Sequence, residues 1–145
     1  MRIINYFILV GFLFSENNIN QNGEDWKSWS FSRKIGYVDG FFDGFNTYES
    51  LLSNTIKMEK KRDPYWLPPL IVTILNKNSK NHIDSVRKFD STEFSKRLDG
   101  FYYEPDNYGI FIMDAIKILN LRELGNGKEA NLFLIQCQKK YLQDK

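Results

Sequence analysis

Apolar side chains recur along this chain mostly at steps of three and four residues. From about Trp26 to Met58 the positions Phe31, Ile35, Val38, Phe42, Phe45, Leu52 and Ile56 follow that rhythm, which puts side chains on one face of an α-helix. At about 100° per residue, Val38, Phe41, Phe42, Phe45 and Leu52 share a broad arc, with Asp39 and Asp43 on the far side. Gly36, Gly40 and Gly44 form a second, narrow face beside Tyr37, Tyr48 and Leu51. Each glycine costs an exposed helix about 1 kcal/mol relative to Ala, so the stripe predicts a close backbone approach by a neighbour.

The segment Asp63-Pro64-Tyr65-Trp66-Leu67-Pro68-Pro69 breaks that helix and predicts a rigid turn. Leu70–Leu75 is an apolar run too short to assign by period alone, which a helix turn beginning at Pro68 or Pro69 fits; a polar loop over Asn76–Asn81 and a short helix over His82–Arg87 follow. Asp90 with Glu93 three residues on has the form of a capping box, and Phe94, Leu98, Phe101 and Tyr102 give the helix behind it an apolar face. Pro105 closes that helix. Ile110–Leu121 is read as a buried helix, a strand at Ile110–Met113 being the alternative. Gly125-Asn126-Gly127 stops it, and Lys128–Leu142 forms the last helix, with Ala130, Phe133, Leu134, Cys137 and Tyr141 on one stripe. The expected fold class is all-α, a compact bundle of about four to five helices.

The start of the chain has a different pattern. Arg2 precedes an apolar run, Ile3–Phe14, broken only by Asn5, and polarity rises abruptly from Ser15 through Asn22. A positive start, an apolar stretch and a polar exit form the plan of a secretory signal, and the run falls short of the roughly 20 residues of a membrane span. Residues 1–15 are therefore read as a signal peptide with cleavage after Ser15, residues 16–24 as a polar spacer and residues 25–145 as one helical domain. A signal left uncleaved would act as an anchor.

Charge narrows the partners. Twenty basic against 18 acidic side chains leave a formal +2, and without a basic stripe interleaved with aromatics nucleic acid is not expected. The one basic run, Lys57–Arg62, reads as a solvated helix end where cations complement the helix dipole. Aromatics make up 16% of the chain, enough for either a ring-rich core or a ring-rich contact face.

Few residues are available for chemistry. One histidine, His82, gives no basis for a multi-histidine metal site, and no nucleotide-loop, zinc-helix or calcium-loop motif is present. Cys137 lies on a core stripe and, with no second cysteine, forms no intramolecular disulfide. Asp39 and Asp43 are neighbours on one helical face. With Asp99, Glu104 and Asp106 they are the carboxylates from which a hydrolase would draw its acid and base. No catalytic residue, metal or cofactor is assigned. The most distinctive stretch is Asp99–Ile110, where Tyr102, Tyr103, Glu104, Asp106, Asn107 and Tyr108 are candidates for a polar–aromatic binding lip. The competing reading is a turn that fixes the angle between two helices.

Phe101, Tyr102, Glu104, Asn107 and Ile110, with Gly36, Tyr37 and Gly40 in the long helix, resemble a pattern in short exported bacterial proteins of unknown function. They combine an F-Y-x-D/E-x-x-N-x-x-I segment with an earlier G-Y-x-x-G helix. More distantly the layout is similar to the Tai-type immunity proteins of type VI secretion. That resemblance implies a small periplasmic helical protein that binds and blocks a cell-wall hydrolase, and it carries over no inhibitory residue.

The expectation is thus an exported, periplasmic or secreted, non-enzymatic binding module acting on another protein. Membrane contact is expected only if the signal segment is uncleaved. The alternatives are a cell-envelope hydrolase using carboxylates and a signal-anchored structural protein of the envelope.

Overall fold

A computed structural model describes residues 21–143, so the predicted signal peptide and most of the spacer lie outside the described residues. Among the described residues there are six α-helices and no strand: α1 (Gly23–Ser28), α2 (Phe31–Arg62), α3 (Leu70–Ile83), α4 (Ser91–Phe101), α5 (Ile112–Glu123) and α6 (Gly127–Gln143). A single 3₁₀ turn, Pro105–Asn107, lies between α4 and α5. The all-α bundle expected from periodicity is the fold.

The predicted first helix is two helices. Trp29 is extended and Ser30 caps the second, its hydroxyl accepting from the Arg33 amide at 3.3 Å. Upstream, Asn22 and Asp25 form a reciprocal capping box, which satisfies amides at the helix start that would otherwise have no partner. The end of the polar spacer is thereby part of the fold. Gln21 and Glu24 also bond the α5 approach, the Gln21 carbonyl accepting from Ile112 N at 2.9 Å and Glu24 N donating to the Tyr108 carbonyl at 3.1 Å. The strand considered at Ile110–Met113 reduces to one isolated bridge between Asn22 and Phe111.

α3 corrects another expectation. The helix runs through the predicted loop Asn76–Asn81 and ends at Ile83, and the segment to Lys88 is turn rather than a separate helix. Asn and Ser disfavour helix interiors by only fractions of a kcal/mol, and packing of α3 on α5 outweighs that. The Asp90 cap stands as predicted, its carboxylate accepting from Glu93 N at 2.7 Å. After α5 the left-handed residue is Gly125, at φ 77, a conformation that suits a residue with no Cβ.

The core gathers where α2 packs on α4, and α5 on α3 and α6. Trp26, Val38, Phe94, Leu98, Ile112 and Ile118 are fully buried in it. The glycine stripe does not contribute as expected. A Cβ at Gly36, Gly40 or Gly44 would meet no atom of the described residues within 4 Å beyond the backbone of its own helix, and all three are exposed. The close approaches are at Gly109, where a Cβ would enter the ring of Tyr141, and Gly23, where it would enter the ring of Tyr102.

Candidate binding surfaces

The turn from Tyr102 to Ile110 splits into inward and outward residues. Tyr102 follows α4 directly and is 1% exposed, and its hydroxyl donates to the carbonyl of Ile110 at 3.0 Å. Burial pushes its phenol well above the usual tyrosine range, with the charges of Tyr37, Asp114 and Cys137 adding to the effect. Asn107 is also buried. Its amide donates to the Phe101 carbonyl at 2.7 Å while its oxygen accepts from Gln138 Nε2 at 2.9 Å, joining the end of α4 to α6. Tyr108 is half-buried, with the Lys27 ammonium on its hydroxyl and 3.8 Å from its ring centroid. Tyr103, Glu104 and Asp106 face solvent, Tyr103 at 81% exposure. The six residues singled out by sequence therefore do not form one exposed lip, and Tyr103 alone offers a freely exposed ring there.

The carboxylates are similarly separated in role. Asp99 Oδ1 accepts from Trp26 Nε1 at 2.8 Å and from Lys34 Nζ at 2.6 Å. Asp39 is bonded by the Ser91 hydroxyl, and Asp43, Glu104 and Asp106 are exposed. Among the described residues no group of three His, Cys, Asp or Glu side chains is arranged to hold a metal ion.

Among the described residues, cavities open at two places that bear on function. One, of about 210 Å³, lies between the start of α5 and α6 and is lined by Asn22, Gly109, Phe111, Asp114, Cys137 and Lys140, among others. Burial and then the Asp114 charge push the Cys137 thiol up to about 11, against the opposing pull of Lys117 and Lys140, so it is protonated and a poor nucleophile near neutral pH. The other, of about 420 Å³, opens between the second half of α2 and α3. Leu52 and Ile56 line it together with Lys57, Lys60 and Lys80. Neither cavity is lined by any of the five carboxylates considered for acid–base work.

Outside that second cavity, the segment joining α2 to α3 carries several of the most exposed apolar side chains among the described residues. Tyr65 is 93% exposed, Leu67 79% and Leu70 74%. Along α3, Leu70, Ile71, Ile74 and Leu75 are all exposed and share an arc of about 140°. The more buried positions, Val72, Asn76 and Ile83, lie on roughly the opposite side of the helix. Leu51 and Met58 are exposed on α2. An amphipathic helix ordinarily turns its apolar stripe to the core; α3 turns most of its stripe to solvent. The apolar content of Leu70–Leu75 was visible in sequence, but its direction depends on which side of α3 meets α5.

Comparison of the chain with protein-family models, with curated proteins and with solved structures finds no match.

Proposed function

We propose that this protein is an exported binding module that works by contact, not by chemistry, with the α2–α3 hairpin as its working face. The observation that carries the reading is the gathering of exposed Tyr65, Leu67, Leu70, Ile71, Ile74 and Leu75 on one hairpin. Contiguous apolar surface on a folded protein commonly marks a contact site. Asp99 and Asn107, by contrast, are engaged in holding helices together. Export is supported by the three-part pattern of Arg2, Ile3–Phe14 and Ser15–Asn22, and the immunity-like layout points towards binding as well.

Fractionation of producing cells tests both parts. The protein is expected in the envelope or medium with its new N-terminus near Glu16, and associated with envelope material through the hairpin. An Ile71→Asp variant should lose that association while Tyr103→Ala keeps it. Recovery of the chain in the cytosol with Met1 intact would contradict export. Association that is absent, or equal for wild type and Ile71→Asp, would contradict the contact face.

A further inference from the structure

Residues 57–80 hold six basic side chains, Lys57, Lys60, Lys61, Arg62, Lys77 and Lys80, against two acidic ones, Glu59 and Asp63. That leaves fourteen basic and sixteen acidic side chains elsewhere in a chain of formal charge +2. The positive charge is thus concentrated on the hairpin that carries the exposed apolar residues. Of these charges, Arg62 is tied to Glu59 at 2.5 Å. Lys57, Lys60 and Lys61 are exposed beside exposed Met58.

We infer that the occupant of this face is an anionic lipid surface, which the turn between α2 and α3 meets with Tyr65, Leu67, Leu70 and Ile71 entering the headgroup boundary and with Lys60 and Lys61, in the last turn of α2, meeting lipid phosphates. The inference rests on the hairpin being the contact face and names what it contacts. Apolar insertion flanked by basic residues is the chemistry of interfacial helices, and each lysine or arginine near an anionic leaflet contributes about 1 kcal/mol. Side chains as exposed as Tyr65 and Leu67 lack pocket walls that could fit one particular protein side chain. A fluid interface needs no such walls. A second copy of the chain is a poorer fit, because symmetric contact would bring two lysine clusters together at an energetic cost. No described helix is long and apolar enough to cross a membrane, so this contact lies on the surface.

The test is co-sedimentation of the full chain with vesicles of phosphatidylcholine alone and of phosphatidylcholine mixed with an equal part of phosphatidylglycerol. Preferential binding to the mixed vesicles is expected, weakening as salt shortens the screening length. The paired change Lys60→Glu and Lys61→Glu should lower partitioning about twentyfold or more, and Ile71→Asp about tenfold, with the helical circular dichroism of wild type retained in both. Equal binding to the two vesicle types, unaffected by these variants, would overturn the inference and assign lipid affinity to the Ile3–Phe14 run. A dimer in sedimentation velocity that Ile71→Asp dissolves would overturn it in favour of a second copy. Absence of vesicle binding would also overturn it. If envelope association is then still abolished by Ile71→Asp, the contact face stands with a protein as its partner; if association is absent too, both readings fall.

Discussion

Trp26 donates its indole N–H to the carboxylate of Asp99 at 2.8 Å, linking the short first helix to α4 across 73 positions of sequence. Lys34 reaches the same oxygen from α2, so one carboxylate joins three helices. Asp99→Ala leaves a buried indole donor without its acceptor and should cost about 2–3 kcal/mol. Asp99→Asn keeps an oxygen for Trp26 and loses only a partly solvent-screened ion pair, for about 1 kcal/mol. Urea unfolding of the two variants measures the difference; equal, small effects would show that the link contributes little.

The distinctive turn contains scaffold and solvent-facing residues side by side. Tyr102→Phe removes the bond to the buried Ile110 carbonyl and should cost about 1–2 kcal/mol. Asn107→Ala breaks two links at once and should cost about 2–3 kcal/mol. Tyr103→Ala, Glu104→Gln and Asp106→Asn should each stay within about 0.5 kcal/mol of wild type. Denaturation midpoints of the five variants check the division.

The glycines give the sharpest contrast of sign. Ala at Gly36, Gly40 or Gly44 meets no described atom beyond the backbone of its own helix and improves helix propensity, so each change should raise stability by about 0.5–1 kcal/mol. Ala at Gly109 would collide with the ring of Tyr141 and should destabilise by about 1–3 kcal/mol. Melting temperatures that fell for the helix glycines would show that something packs on that face.

Two groups give pH signatures of opposite sense. The Lys88 hydrogen bond holds the Glu123 carboxyl below the usual carboxylate range against the opposing effect of burial, with the charges of Lys88 and Arg97 adding to the lowering. Its contribution to stability is present above the ordinary glutamate value of about 4.3 and is lost as pH falls through the lower folded value. Glu123→Gln should therefore flatten the acid limb of the stability curve. Cys137, raised to about 11, should alkylate slowly at pH 8 in the folded state and accelerate towards pH 11. Rapid alkylation at pH 8, comparable to a free thiol, would contradict the burial of its thiol.

Helix positions were legible where the apolar period agreed with a cap, as at Asp90–Phe101, or with a glycine stop, as at Ile112–Glu123 before Gly125. The break at Trp29–Ser30 was hidden because Trp29 continues the apolar pattern while its backbone is extended. The loop expected at Asn76–Asn81 failed because weak local propensity yields to tertiary packing. For the candidate lip, the sequence does not show which way each side chain turns; Tyr102 and Tyr103 are adjacent, and one is buried while the other is exposed. The exposed apolar residues of the α2–α3 segment are hard to see in sequence because its basic run and its apolar run lie on either side of a proline turn.

Thermal unfolding of Ile71→Asp beside the wild-type chain addresses the central claim most directly, because that side chain, 60% exposed, lies on the face proposed as the contact site. The account predicts a midpoint equal to wild type or slightly higher, together with loss of envelope association. A midpoint lowered by the several degrees expected for a charge forced into packed surroundings would contradict it, since the face would then be part of the protein's own packing.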